Sequence, residues 1–297
     1  MNYVPLIYGL REHERYVYHY TKLATARDYI LKANTLRLGS FDKTNDPRES
    51  RQWQFNVGSI GRDKDLEPYA LQDVSEWMSG AIQRQTRVAC FCMDTGPLTG
   101  DHLSEIYKRG FTRARMWAQY AESHKGVCLV FDMNKLIEAM RRKVEDIART
   151  TPIFLVYSPV SYANQPLVGS MREDAFSVTV EDLEQVGRDN YPWHHAMRWW
   201  RHLFFQKVED WRHEAEWRAV VLVTSPDPID VNVRESLVGV IHGDRMTRKD
   251  SESVFALTDR PEVEHMGLTW KNGCPWYDLA GGPWSHHDRH LPGLGRR

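Results

Sequence analysis

A chain of 297 residues is long enough for one large domain or two small ones, with an ample core. Hydrophobic residues make up 41% and charged residues 27%, and 39 basic against 40 acidic groups leave a formal net charge of -1 at pH 7. That is the composition of an ordinary globular protein, with no overall field favouring nucleic acid or an anionic membrane. No run approaches the roughly 18 to 20 apolar residues of a membrane span. The opening M-N-Y-V-P-L-I-Y-G-L leads into charged R-E-H-E-R rather than a cleavable small-residue site, so the expectation is a cytoplasmic protein with no membrane partner. The four cysteines, Cys90, Cys92, Cys128 and Cys274, are too few and too scattered for a disulfide framework and read as reduced thiols.

Residues 15 to 21, R-Y-V-Y-H-Y-T, have strand character, with Val17, His19 and Thr21 on one face and Tyr16, Tyr18 and Tyr20 on the other. Thr21 is placed to cap a helix over L-A-T-A-R-D-Y-I-L, and the short strand T-L-R-L-G-S follows Asn34. In F-D-K-T-N-D-P-R-E-S, Asn45, Asp46 and Pro47 form a turn signal that can offer fixed acceptors to a ligand. Residues 51 to 86 read as two helical pieces around a Gly/Asp-rich loop, and R-V-A-C-F-C-M at 87 to 93 as a compact strand. A helix over 116 to 126 ends at Gly126, then come the strand V-C-L-V-F-D and an amphipathic helix from Asp132.

P-I-F-L-V-Y-S-P-V-S-Y is the next strand, followed by a long polar connection from Asn164 to Asn190 and a helix from Trp193 to Val208 dense in aromatic and basic groups. That helix leads into W-R-H-E-A-E-W-R-A-V-V-L-V, Trp211 to Val223, whose charged start and continuous Val/Leu end predict a strand buried on both faces at its far end. Side chains alternate across a strand from Glu214 onward, so Glu214, Glu216 and Arg218 share one face with Val220 and Leu222, and Ala215, Trp217 and Ala219 the other. Desolvating an ionised carboxylate costs several kcal/mol, so Glu216 requires a cationic partner or a chemical role. The remaining strands are read at L-V-G-V-I-H-G-D and S-V-F-A-L, with H-M-G-L-T-W-K and the H-H-D-R-H-L-P-G-L-G-R-R tail peripheral. The irregular alternation predicts an α+β fold: one domain over 1–297 with a core at 16–243, a C-terminal extension at 244–297, and a split, mainly antiparallel sheet with flanking helices.

His194, His195, His202 and His213 lack the i, i+4 spacing of a helical zinc site, and Cys90-x-Cys92 has no second pair, so no metal is expected. No P-loop, G-x-G-x-x-G or G-x-S-x-G occurs, which disfavours kinases, dinucleotide folds of that type and serine hydrolases.

Four motifs occur in order: H-Y-T at 19 to 21, F-x-x-x-N-D-P-x-E from Phe41, M-W-x-x-Y-x-x-x-H-K-G-V-C-L-x-F from Met116, and K-x-x-x-W-x-x-E-x-E-W-R from Lys207. Together they resemble DUF2971, a bacterial family of unknown function found in defence-like gene settings, over roughly residues 16 to 243. A weaker resemblance bears on chemistry. Y-H-Y-T-K-L-A-T-A-R-D-Y-I-L-K-A-N-T-L-R is similar to the opening of ADP-ribosyltransferase-like domains, in which a histidine, a tyrosine and a glutamate form an ordered set. Here His19, Tyr120 and Glu216 stand in that order, and Glu214 with Glu216 makes an E-x-E pair. The Ser-Thr-Ser strand of those enzymes is absent, with R-V-A-C-F-C at the nearest position.

This resemblance implies an ADP-ribosyltransferase-like fold and NAD as substrate, with transfer or hydrolysis of its ADP-ribose unit and a protein, nucleic acid or water as acceptor, by an effector in phage defence. It implies Glu216, Tyr120 and His19 as catalytic, with Thr21 and Tyr20 on the nucleotide side, and to these the residues' own chemistry adds Asn45 and Asp46 of the N-D-P turn and Arg218 as nucleotide contacts. Cleavage of the nicotinamide–ribose bond builds positive charge on the ribose, which a carboxylate stabilises. The alternative is a non-catalytic module that holds a nucleotide or nucleic acid through the basic aromatic helix with Lys207, Arg212 and Arg218.

Overall fold

The computed structural model describes residues 15–61, 64–98, 102–166 and 174–278. Fourteen strands are present among them: β1 Tyr16–Thr21, β2 Thr35–Ser40, β3 Asn56–Gly58, β4 Thr86–Met93, β5 Val127–Asp132, β6 Ile153–Pro159, β7 Ser161–Tyr162, β8 Ser177–Thr179, β9 Gln206–Lys207, β10 Glu216–Val223, β11 Ile229–Asn232, β12 Leu237–His242, β13 Glu264–Lys271 and β14 Cys274–Asp278. The α-helices are α1 Leu23–Thr25, α2 Pro47–Ser50, α3 Leu71–Gln85, α4 His102–Glu105, α5 Ala114–Gln119, α6 Met133–Ala148, α7 Val180–Val186, α8 Tyr191–Phe204 and α9 Arg248–Thr258. This is an α+β fold with a mostly antiparallel mixed sheet and flanking helices. No helix of the described residues is long and apolar enough to cross a membrane.

The chain divides into two compact units, the first made of residues up to Arg37, Phe91–Met140 and residues from Asp230 onward, the second of Leu38–Cys90 and Arg141–Ile229. In unit 1, β1 lies between the end of β4 and β5, antiparallel to both; β12 is antiparallel to β5 and parallel to β13, which pairs with β14. Tyr16, Tyr18 and Tyr20 share one face of β1, as alternation requires, and enter a core with Phe111, Trp117, Val130, Ile241 and Met266. Beneath them a buried Asp94 carboxylate accepts from the Gly110 N–H at 2.7 Å and the Tyr18 hydroxyl at 3.2 Å, and pairs with Arg109 at 3.0 Å. A Cβ on Gly243 would collide with the His124 carbonyl, so Gly243→Ala is expected to lower stability by about 1–3 kcal/mol, the range for forced overpacking, as read from urea unfolding.

In unit 2, β4 pairs with β2 and with β10, and β10 pairs antiparallel with β6 from Trp217–Pro159 to Val223–Ile153. Every residue of β10 is buried. Its Val220 and Leu222 join Phe41, Trp53, Phe55, Met78, Ile82, Phe176 and Phe204 in a core rich in edge-to-face aromatic pairs. His195 of α8 is buried there and its Nε2–H donates to the Ala175 carbonyl at 2.9 Å. Burial, only partly opposed by that carbonyl, pushes its imidazolium pKa down to about 4. A histidine depressed in the folded state stabilises above its unfolded pKa of about 6.5 and loses that contribution as pH falls towards 4, roughly 3 kcal/mol in all. His195→Gln is expected to flatten the stability profile between pH 6.5 and 4, measured by urea unfolding across that window.

Several sequence expectations are corrected. S-V-F-A-L is the end of helix α9, whose Thr247 N-cap hydroxyl accepts from the Asp250 N–H at 3.2 Å. H-M-G-L-T-W-K is not peripheral: it forms most of β13, with Met266 fully buried. The expected tail at 286–297 lies outside the described residues. The helix after Arg113 ends at Gln119, because Glu122, Ser123 and His124 take positive φ of 51, 51 and 72°. Thr21 remains in β1, opposite Val127, and Lys22 holds the N-cap position of α1 with no side-chain cap. The connection from Asn164 to Asn190 contains β8, paired with β3, and α7. Helix α8 stops at Phe204, and β9 and a 3-10 turn at Glu209–Glu214 separate it from β10.

Candidate functional site in unit 2

β10 begins at Glu216, not at Glu214. Glu214 closes the preceding 3-10 turn, and Ala215 takes left-handed φ 43° and ψ 57°. Strand alternation therefore does not align the E-x-E pair. Glu214 reaches the same neighbourhood by another path, pairing at 2.9 Å with Lys207 of β9. Lys207 is placed by the parallel β7–β9 pair, Tyr162 opposite it, and its Nζ lies 2.8 Å from Glu216 Oε2. Two residues into the strand, fully buried Arg218 clasps Glu216 with both sides of its guanidinium fork, Nε to Oε1 at 2.7 Å and Nη2 to Oε2 at 2.9 Å. Its Nη1 donates to the Phe204 carbonyl at 2.7 Å.

The remaining member comes from the N-D-P-R-E segment. Asp46 caps α2, its Oδ1 accepting from the Arg48 N–H at 2.9 Å, and Pro47 occupies the first turn where a missing N–H costs nothing. Asp46-Pro47-Arg48-Glu49 has the spacing of a capping box, in which the glutamate reaches back to the cap. Here Glu49 turns inward instead and sits 2.7 Å from Arg218 Nη1. Neither of its carboxylate oxygens accepts a hydrogen bond in good geometry, since the neighbouring Thr44 hydroxyl is turned to the Phe41 carbonyl at 3.1 Å. Gln83 of α3 holds the segment by donating to the Glu49 and Arg51 carbonyls, both at 2.9 Å.

Three carboxylates (Glu49, Glu214, Glu216) thus face two cations (Lys207, Arg218) in a place nearly closed to water. Burial opposes the charge on Glu216, yet Arg218 and Lys207 outweigh it and hold the carboxyl down to about 2. Glu49 goes the other way: burial raises it above the usual carboxylate range against the pull of Arg218 and Lys207. Burial likewise disfavours the charge on Lys207, but Glu216 and Glu49 keep it a firm cation. The Cys90 thiol bonds Glu216, and burial pushes Cys90 well up, so it acts as a neutral donor. Tyr162 accepts the Glu216 backbone N–H at 2.8 Å, and burial raises its phenol.

Of the residues singled out from sequence, Glu216 and Arg218 lie in this cluster. Asp46 is buried on the segment that delivers Glu49, and Asn45 beside it is exposed. His19, Tyr20, Thr21 and Tyr120 belong to unit 1. There the half-buried His19 ring tilts against Phe91 at 5.6 Å, and Tyr20 donates to the Gly110 carbonyl at 2.7 Å. Thr21 is buried at the end of β1, and half-buried Tyr120, the C-cap of α5, packs against the unit 1 core. Sequence reasoning missed Glu49, Lys207, Cys90 and Tyr162 as members of one cluster. Two of these, Glu49 and Lys207, already stood inside quoted motifs. Among the described residues no group of three or more His, Cys, Asp and Glu side chains is arranged to hold a metal ion.

No curated protein and no solved structure matches the chain. Residues 116–219, which carry Tyr120, Lys207, Glu214, Glu216 and Arg218, match the family described as a protein of unknown function, DUF2971.

Proposed function

We propose that this protein cleaves the nicotinamide–ribose bond of NAD, or of a related adenine dinucleotide, and passes the ADP-ribose unit to an acceptor or to water, within an ADP-ribosyltransferase-like fold. The observation that supports this reading is a glutamate kept ionised in a nearly waterless place at the start of a central strand: Glu216, 4% exposed, with its pKa near 2. A fixed negative charge in low dielectric stabilises an oxocarbenium far better than one in water, with no reorganisation at the moment of reaction. The carboxylates of the cluster outnumber its cations, which favours a site for developing positive charge.

The cell setting belongs to the same proposal: a cytoplasmic effector in defence against phage, in keeping with four cysteines that carry no disulfide. The roles that the resemblance gives to His19, Thr21, Tyr20 and Tyr120 are separate proposals, each read by its own variant in the same assay.

One observation favours the second reading, a non-catalytic nucleotide- or nucleic-acid-binding module. On α8 the exposed Arg201 lies over the Trp200 ring at 4.2 Å and Arg198 over Trp199 at 5.4 Å, the kind of cation and ring surface on which bases stack. Incubation with NAD and cell extract, following nicotinamide release and labelling of protein or nucleic acid, separates the two. Turnover is expected. Absence of turnover together with measurable nucleotide or oligonucleotide binding overturns the catalytic reading.

A further inference from the structure

We infer that Glu49, delivered by the short helix α2, is the general base that takes the proton from the attacking water or acceptor hydroxyl. The inference rests on the NAD-cleaving reading of the same cluster. The three carboxylates are committed unequally. Glu214 is held by Lys207 at 2.9 Å, and Glu216 is shared between the Arg218 fork and Lys207. Glu49 pairs with Arg218 Nη1 at 2.7 Å and has the Thr44 hydroxyl and Lys207 nearby, yet neither oxygen accepts a hydrogen bond in good geometry, although the residue is 1% exposed. A buried carboxylate whose acceptor positions are left open is costly unless something else fills them.

One guanidinium therefore holds two carboxylates in opposite condition. The charged and titratable groups that face Glu49 are Arg218 and Glu216 of β10, Lys207 of β9 and, farther off, the Cys90 thiol of β4. Burial lifts Glu49 above the ordinary range, while Arg218 and Lys207 keep Glu216 ionised at any ordinary pH. Carboxyls whose environments push them apart in this way divide the work of acid–base exchange and charge stabilisation. In the proposed step the C1′–N bond breaks and its electron pair goes to the nicotinamide nitrogen, which loses its positive charge. The oxygen of water bonds to C1′, and its proton passes to the Glu49 carboxylate. Glu216 stays ionised throughout.

The test is NAD hydrolysis by the full chain as a function of pH, with wild type, Glu49→Gln and Glu49→Gly, each checked for folding by thermal melting. A base must be ionised, so the wild-type rate is expected to fall on the acid side of the Glu49 pKa. Glu49→Gln is expected to lose about 10²-fold or more in kcat with little change in KM, and to lose that acid limb. Formate is expected to restore part of the rate to Glu49→Gly by supplying a carboxylate to the vacated space. An active wild type with an unchanged rate and pH profile in Glu49→Gln overturns the role of Glu49 alone. A loss in Glu49→Gln with the acid limb retained and no rescue by formate also overturns it, making Glu49 a holder of Arg218. No nicotinamide release by wild type overturns the NAD-cleaving reading and the role of Glu49 with it.

Discussion

Arg218→Met is expected to cost about 3–5 kcal/mol of folding stability, the range for breaking a buried ion pair from one side. The guanidinium is fully buried and serves three partners at once: Glu216 through two parallel bonds, Glu49 through an ion pair, and the Phe204 carbonyl at the end of α8. Methionine fills much of the space but supplies no donor. Glu216 and Glu49 are then left in low dielectric with Lys207 as their nearest cation, and the Phe204 carbonyl loses its bond. Against a typical total of about 5–15 kcal/mol this is a large fraction, visible as a drop in the urea midpoint at unchanged slope. Arg218→Lys is expected to fall between wild type and Arg218→Met, because an ammonium keeps the charge but cannot close the fork on Glu216. A loss below about 1 kcal/mol for Arg218→Met contradicts the hub role assigned to this residue.

Much of the fold was legible because its strands are short β-branched or aromatic runs with clear ends: β1, β2, β4, β5, β6 and β12 stand close to where periodicity places them. The errors have identifiable causes. The apolar run S-V-F-A-L resembles a strand by composition, but Thr247 with Asp250 three residues on is a helix-start signal, and it decides the segment as α9. The start of β10 was misplaced by two residues because an alanine gives no hint of a left-handed conformation, and Ala215 adopts one. One such residue takes Glu214 off the strand and makes the E-x-E spacing uninformative.

The cluster itself was half legible. Alternation in E-W-R puts Glu216 and Arg218 on one face of a strand, and the cost of burying them implies a partner. That the partners are Glu49, more than 160 residues earlier in the chain, and Lys207, across a short parallel pair, depends on tertiary packing that no local pattern encodes. N-D-P-R-E has the spacing of an ordinary capping box, and only the position of Arg218 shows that its glutamate serves another purpose.

The central claim is that the ionised Glu216 carboxylate steadies positive charge on a ribose, and nicotinamide release from NAD by wild type and Glu216→Gln tests it most directly. Glutamine keeps the shape of the side chain and an acceptor for Arg218, but removes the charge held by Arg218 and Lys207. Because this carboxyl is held near 2, wild type has the charge at every pH at which the assay can be run, so the comparison is not confounded by titration of Glu216. The expected result is a fall in kcat of about 10²-fold or more, the size typical of removing one preorganised electrostatic stabiliser, in a variant whose thermal melting shows it folded. Equal turnover by the two proteins contradicts the account and leaves Glu216 as the anchor of Arg218 and Lys207.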